Sequence, residues 1–145
     1  MIANSRILVV DDDPSSCELV AYSLKPLGYR VAIAADGNRA LNMGMDGDIG
    51  LVILDVHMPM FDGIEILAML RERHKMRPVK VLALTGDGSA EVRASMESKG
   101  IDGFLTKPVN LKSLREEVTR LMADSMPGDL GLYRRVLDRH RRHQE

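Results

Sequence analysis

The sequence has one cysteine and no tryptophan, and tyrosine and phenylalanine together make up 3% of its 145 residues. The single Cys17 excludes an intramolecular disulfide framework and is typical of a reducing compartment. So few aromatic side chains offer no stacking platform for single-stranded nucleic acid. The chain contains neither the ~20 consecutive apolar residues of a membrane span nor the apolar core of a signal peptide. We therefore expect a cytoplasmic protein without a membrane span.

The sequence also lacks an excess of either charge. Twenty basic and 21 acidic residues give a net charge of −1, so the whole chain has no electrostatic attraction to nucleic acid. Five arginines lie close to the C-terminus: Arg134, Arg135, Arg139, Arg141 and Arg142. The roughly twenty residues of this tail are too few for a DNA-binding helix-turn-helix. We therefore expect protein partners rather than nucleic acid.

Short apolar runs alternate with segments of helical period. The five runs are Ile7–Val10, Val31–Ala34, Leu51–Leu54, Val79–Leu84 and Gly103–Leu105. The five helical segments are Pro14–Leu27, Asp36–Met45, Asp62–Arg73, Ser89–Lys99 and Asn110–Met122. Continuous Val, Ile and Leu runs indicate strands buried on both faces, as in parallel sheets. The alternation predicts an α/β fold with helices on both faces of a five-stranded parallel sheet.

The domain organisation follows from where this alternation ends. The last helical segment closes a predicted domain over residues 1–122, whose length is that of one ordinary domain. Residues 123–131 include Pro127, Gly128 and Gly131 and are predicted to be a linker. Residues 132–145 are predicted to be a basic tail that can form a short helix. We expect a stand-alone domain with this tail.

Polar side chains follow four of the predicted strands. They are Asp11, Asp12 and Asp13 after the first, Asp55 at the end of the third, Thr85 after the fourth, and Thr106 and Lys107 after the fifth. In an open parallel sheet the loops at the carboxyl ends of the strands form the binding crevice, so we expect these groups to lie together. A carboxylate such as Asp55 at the end of an apolar strand is costly unless it has a partner.

This set of residue types predicts phosphoryl chemistry. Crowded carboxylates cannot all stay ionised without a cation, and oxygen ligands without a Cys or His cluster favour Mg²⁺. The Lys107 ammonium and the Thr85 hydroxyl suit the oxygens of a transferring phosphoryl group. A carboxylate can itself act as the nucleophile and form an acyl phosphate. The sequence therefore predicts phosphoryl transfer onto an aspartate.

Four segments taken together resemble a response-regulator receiver domain of two-component signalling. They are Ile-Leu-Val-Val-Asp-Asp-Asp-Pro at 7–14, Leu-Asp-Val-His-Met-Pro at 54–59 with Asp62-Gly63, Leu-Thr-Gly at 84–86, and Phe-Leu-Thr-Lys-Pro at 104–108. The resemblance covers about residues 5–122. It implies a flavodoxin-like, doubly wound sheet with strand order 2-1-3-4-5 and five helices.

The resemblance also implies a role for each residue of the predicted site. Asp55 would accept a phosphoryl group from a histidine kinase or a phosphotransfer protein. Asp11, Asp12 and Asp55, together with the backbone carbonyl of His57, would hold Mg²⁺. Lys107 would pair with the phosphoryl oxygens. Such a domain catalyses only its own phosphorylation and dephosphorylation, so we do not expect an enzyme with a separate substrate.

The switch implied by the resemblance involves two further positions. Thr85 would move toward the new phosphate while Phe104 turns inward. The surface formed by helix 4, strand 5 and helix 5 would then change for binding a downstream effector or a second copy of the chain. The family often has tyrosine at the position of Phe104, whose ring has no hydroxyl to form a hydrogen bond.

Two alternatives are open at this point. Asp11-x-Asp13, Thr85 and Lys107 also resemble a haloacid-dehalogenase-type phosphatase with Asp11 as nucleophile, although that scheme gives Asp55 no role and the chain has no room for the usual cap. The other alternative is a receiver-like interaction module that signals without phosphate, against which the full set of acidic, hydroxyl and lysine residues argues.

Four smaller expectations concern residues around the site. Asp13 is predicted to cap the following helix rather than bind metal, and Cys17 to be an inert core thiol. The His57 side chain is predicted to face solvent. Met58 and Met60, which flank Pro59, are predicted to lie in an exposed loop.

Overall fold

The centre of the fold is a five-stranded parallel β-sheet. The computed structural model describes residues 6–44, 46–58, 63–73 and 79–123. The strands are β1 Arg6–Val10, β2 Arg30–Ala34, β3 Ile49–Asp55, β4 Lys80–Thr85 and β5 Gly103–Thr106. Their spatial order is β2-β1-β3-β4-β5, and every neighbouring pair is parallel. The predicted doubly wound, flavodoxin-like fold is confirmed.

In the segments that the structure describes, five α-helices cover the two faces of the sheet. They are α1 Pro14–Leu24, α2 Gly37–Gly44, α3 Gly63–Arg73, α4 Ala90–Ser98 and α5 Leu111–Ala123. Alternate residues of a strand point to opposite faces, so Ile7 and Val9 pack with α1 and α5, whereas Leu8 and Val10 pack with α2, α3 and α4. None of the helices in the described segments is both long enough and apolar enough to cross a bilayer.

The first helix begins as predicted but ends earlier. The Asp13 carboxylate accepts an N–H from the first turn, which confirms Asp13 as the N-cap. The helix ends at Leu24 rather than at the predicted Leu27, because Pro26 has no N–H to continue the helical ladder. A short 3₁₀ turn follows and closes at Gly28, whose φ of +81° is the left-handed conformation that glycine adopts readily.

The expectations for the loop after β3 and for the end of the domain have different outcomes. The predicted exposure of Met58 is wrong: the residue is 8% exposed, because it belongs to the core cluster that α2, α3 and α4 form with one face of the sheet. Asp62, the predicted start of the third helical segment, and Met60 lie outside the described residues. Helix α5 extends through Ala123, the first residue of the predicted linker, and the remainder of the linker and the basic tail also lie outside the described residues.

The register of the strands aligns their carboxyl ends at one edge. Val10 pairs with Leu54 across β1 and β3, and Asp55 pairs with Leu84 across β3 and β4. The chain winds outward in opposite directions from β1 and β3, and a ligand crevice forms at such a reversal of strand order. The residues that follow β1, β3, β4 and β5 therefore share this edge.

Candidate functional site at the carboxyl edge of the sheet

Buried polar side chains are concentrated at this edge. Among the described residues four polar side chains are buried, and three of them, Asp11, Asp55 and Thr85, lie at the carboxyl ends of β1, β3 and β4. Asp11 and Asp55 are each 4% exposed, and Thr85 is fully buried. Because a buried carboxylate is costly without a partner, this concentration marks the edge as the candidate site.

Three carboxylates converge there. Oxygen atoms of Asp11, Asp12 and Asp55 lie within 4.8 Å of one another, and Asp12 is the exposed member. Burial raises the pKa of Asp11; the N–H of Asp13, which donates to Asp11 at 2.9 Å, opposes this effect, and the charge of Asp55 adds to it. A cluster of carboxylate oxygens in which one acid resists ionisation fits a hard divalent cation such as Mg²⁺.

Lys107 brings a positive charge to this cluster. Its Nζ lies 3.3 Å from Asp55 Oδ2 and 3.5 Å from Asp11 Oδ2. Burial alone lowers the pKa of Lys107, but the charges of Asp55 and Asp11 outweigh it and hold that pKa above its usual value. The Lys107 backbone N–H donates to the Thr85 carbonyl at 2.7 Å, which fixes the start of the loop after β5. The Lys107–Pro108 peptide bond is cis.

Both oxygens of the Asp55 carboxylate have partners. Oδ2 faces Lys107, and Oδ1 accepts the backbone N–H of His57 at 3.2 Å. The His57 side chain is exposed, as the sequence predicted. The sequence resemblance implied a role for the His57 carbonyl only, so the hydrogen bond from its N–H is a finding of the structure. Asp55 is thereby held in one orientation from two sides.

Thr85 lies at the end of the neighbouring strand and connects to the start of α4. Its Oγ1 accepts the backbone N–H of Asp87 at 3.0 Å. The Asp87 carboxylate accepts the N–H of Ser89 at 2.9 Å, a hydrogen bond that lowers the pKa of Asp87. Ser89 is the N-cap of α4. A movement of the Thr85 hydroxyl can therefore reach α4 through two hydrogen bonds.

Phe104, the other predicted switch residue, is not in the carboxylate cluster. Its ring lies beneath the guanidinium of Arg93 on α4, 5.5 Å from ring centroid to Cζ. The Arg93 Nε also donates to Glu97 at 2.8 Å. This cation–π contact could not be predicted from the sequence. Arg93 belongs to α4 and Phe104 to β5, and no local sequence pattern shows which sides of these two elements face each other.

Cys17 is a core thiol, as predicted, and it also contacts the site. Its side chain is 1% exposed, and its Sγ donates to the carbonyl oxygen of Asp11 at 3.3 Å. Burial raises the pKa of the thiol to about 11, and nearby carboxylates contribute. At neutral pH Cys17 is therefore protonated and unreactive.

The family model described as response regulator receiver domain matches residues 7–119. The chain belongs to this family. The receiver is 39% identical over 129 residues to the transcriptional regulatory protein TcrA of Mycobacterium tuberculosis, a match that covers 89% of this chain and 49% of TcrA. The chain thus spans about half the length of the curated relatives it matches.

Solved structures resemble the receiver over most of its length. The chemotaxis protein CheY4 of Vibrio cholerae superimposes with a TM-score of 0.75 at 32% identity, covering 81% of this chain and 98% of CheY4. A chain of the CheX–CheY–BeF3–Mg²⁺ complex from Borrelia burgdorferi has a TM-score of 0.75 at 25% identity, covering 81% and 88%. A receiver is a signalling module rather than an enzyme that turns over a substrate. This assignment sets aside the phosphatase alternative.

Proposed function

We propose that this receiver is a phosphorylation-controlled switch in which Asp55 accepts a phosphoryl group from a histidine kinase or a phosphotransfer protein. The observation that carries the proposal is the 3.3 Å approach of Lys107 Nζ to the buried Asp55 carboxylate. Because β3 lies between β1 and β4, a phosphoryl group on Asp55 has acidic residues on one side and Thr85 on the other. Asp55 therefore occupies the central position of the site.

The proposed transfer step uses Asp55 as the nucleophile. One of its carboxylate oxygens forms a bond to phosphorus while the phosphorus–nitrogen bond of the donor phosphohistidine breaks. The electron pair of that bond stays on the donor imidazole, which takes up a proton, and the product is an aspartyl phosphate. The Lys107 ammonium neutralises charge on the phosphoryl oxygens, and this is the main contribution a protein makes to such a transfer.

We propose Mg²⁺ as the cofactor, held by Asp11, Asp12, Asp55 and the backbone carbonyl of His57. The convergence of three carboxylates within 4.8 Å supports this ligand set. When bound, the ion would supply additional positive charge to the phosphoryl oxygens and offset repulsion among the carboxylates. The similar Borrelia burgdorferi complex contains Mg²⁺ and BeF3, which fits the same proposal.

The proposed response to phosphorylation begins at Thr85 and ends at a protein-binding surface. The Thr85 hydroxyl accepts the Asp87 N–H in this structure and keeps its own proton to donate to a phosphoryl oxygen. We propose that its shift is transmitted to α4 and that Phe104 turns inward, which removes the ring from beneath Arg93. The altered surface of α4, β5 and α5 then binds a downstream protein effector or a second copy of the chain.

We propose that residues 1–122 form the receiver unit, that 123–131 are a linker and that 132–145 are a basic tail. The single buried Cys17 supports a cytoplasmic location, where thiols stay reduced.

Intact mass measured after incubation with Mg²⁺ and acetyl phosphate tests the proposed chemistry. Wild type should gain one phosphoryl group, and Asp55→Asn should gain none. Asp13→Asn is the matched control and should also gain one, because asparagine caps a helix as aspartate does and the site keeps its structure. EDTA should abolish the gain. Uptake that persists in Asp55→Asn would contradict the assignment. No uptake in wild type, even with a purified histidine kinase as donor, would favour the phosphate-independent interaction module.

A further inference from the structure

Gly63, the first residue of α3, packs directly on the backbone at the end of β3. Its N–H donates to the Val56 carbonyl at 3.1 Å. A methyl group on Gly63 would lie 2.6 Å from Val56 Cα and 2.9 Å from the carbonyl oxygens of Asp55 and Val56. Non-bonded carbons normally approach no closer than about 3.5 Å. No side chain therefore fits at this position unless the backbone moves.

The need for glycine here is a matter of space rather than of backbone conformation. Among the described residues, positive φ values occur at Gly28 and Gly100 and not at Gly63. Alanine is favoured over glycine inside a helix by about 1 kcal/mol. At Gly63 this helix preference for alanine is opposed by the steric clash of a methyl group with the backbone at the end of β3, the strand that carries Asp55.

The backbone that Gly63 contacts is continuous with the N–H group that orients the Asp55 carboxylate. Val56 is held on its other side by its N–H, which donates to the Leu84 carbonyl of β4 at 2.9 Å. The next N–H along the chain is that of His57, which donates to Asp55 Oδ1. A displacement of Val56 therefore shifts this N–H and rotates the carboxylate relative to Lys107.

We propose that Gly63 is a positioning residue for phosphoryl transfer: by lacking a side chain it lets α3 hold Val56 and His57 where they orient the Asp55 carboxylate. The inference rests on the proposed function, because it assigns a role in the same reaction. A misplacement of reacting groups by about 1 Å can cost roughly a hundredfold in rate. Gly63→Ala should therefore slow phosphorylation by about tenfold to a hundredfold.

Gly44→Ala is the matched control. Gly44 is the last residue of α2, and a methyl group there would lie 2.8 Å from Leu70 Cδ2, the end of a side chain that can move. The experiment compares wild type and both variants by the initial rate of phosphorylation from acetyl phosphate with Mg²⁺, at 10 °C and at equal folded fraction measured by circular dichroism. The ¹H–¹⁵N resonance of His57 reports the orienting hydrogen bond directly.

The proposal predicts a slowed reaction and a shifted His57 resonance in Gly63→Ala, with both unchanged in Gly44→Ala. Equal rates in the two variants, with the His57 resonance at its wild-type position, would overturn it. If Gly63→Ala is partly unfolded, trimethylamine N-oxide favours the compact state. A variant that stays unfolded in this osmolyte, or that reacts at the control rate once folded, would also overturn the positioning role. Failure of wild type itself to be phosphorylated would instead contradict the proposed function.

Discussion

Lys107 Nζ and Asp55 Oδ2 lie 3.3 Å apart although their strands are not neighbours. Lys107 follows β5 and Asp55 ends β3, with β4 between them. The four-carbon stem of lysine spans the end of β4, and the hydrogen bond from the Lys107 N–H to the Thr85 carbonyl anchors its base. The ammonium thus reaches the carboxylate cluster from two strands away.

Lys107→Met tests this contact, since it keeps most of the apolar stem and removes the charge. Its phosphorylation rate with acetyl phosphate should fall by about a hundredfold, the cost typical of losing one charge-stabilising donor. In EDTA its free energy of unfolding should fall by about 1 kcal/mol, because Asp11 and Asp55 lose their shared cation. A rate within threefold of wild type would contradict the role proposed for Lys107.

Asp11→Asn should stabilise the protein in the absence of divalent cations. The pKa of Asp11 is raised in the folded state by burial and by the charge of Asp55. Ionisation of Asp11 therefore costs folding free energy at neutral pH, and this cost disappears as the pH falls below the pKa of the unfolded chain. In EDTA at pH 7 we therefore expect Asp11→Asn to have a higher free energy of unfolding than wild type.

Urea denaturation at pH 7 and near pH 4 measures this effect. The advantage of Asp11→Asn should shrink at the lower pH. Mg²⁺ should reverse the order at pH 7 by stabilising wild type more than the variant. Asp12→Asn is the matched control, because Asp12 belongs to the same cluster but is exposed. A loss of stability in Asp11→Asn at pH 7 in EDTA would show that ionisation of Asp11 does not cost folding free energy, which would contradict the prediction.

Asp48→Asn should have the opposite pH dependence at the other end of the sheet. Asp48 accepts hydrogen bonds from Arg6 at 2.7 Å and from Arg30 at 3.4 Å. The Arg6 guanidinium holds the pKa of Asp48 below its usual value, so the ion pair stabilises the fold above about pH 4 and its contribution is lost as the pH falls through the folded pKa.

The measurement is the midpoint of urea denaturation of wild type and of Asp48→Asn, from pH 7 down to below about pH 4. The variant should have the lower midpoint at pH 7, and the two midpoints should converge in acid. Phosphorylation should be unaffected, because Asp48 precedes β3 at the amino edge of the sheet. A midpoint difference that persists at low pH would mean that packing rather than charge is responsible.

Arg71→Met should be strongly destabilising. The Arg71 guanidinium donates to the carbonyl oxygens of Gly100 and Val79 and to the Asp102 carboxylate at 2.8 Å. Methionine fills similar space but leaves a partly buried carboxylate and two carbonyls with fewer partners, at a cost of about 2–3 kcal/mol. Urea denaturation tests this. Arg93→Met, which removes an exposed ion pair with Glu97, should cost less than about 1 kcal/mol.

The sequence predicted the sheet and the site because both depend on patterns that are local along the chain. Continuous apolar runs indicated buried parallel strands, and in a parallel sheet the polar residues that follow each strand must meet at one edge. That rule brings Asp11, Asp55 and Thr85 to the same edge without any knowledge of packing. Their roles in phosphoryl transfer stay predictions.

Other features depend on contacts between elements and could not be predicted in this way. Met58 was expected in an exposed loop but is buried, because the sequence does not show how closely α3 covers the end of β3. The Arg93 contact with Phe104 likewise depends on how α4 packs on β5. The end of α1 at Leu24 is a different case, because the sequence contains the signal for it. Pro26 cannot continue a helical ladder, so the predicted end at Leu27 could have been placed earlier from the sequence alone.

The most direct test of the central claim identifies the phosphorylated residue in wild type. After phosphorylation with acetyl phosphate and Mg²⁺, borohydride reduces an aspartyl phosphate to homoserine, which tandem mass spectrometry of the digested protein locates. The account predicts homoserine at position 55 and aspartate at positions 11, 12 and 13. Homoserine at position 11, or at any position other than 55, would contradict it.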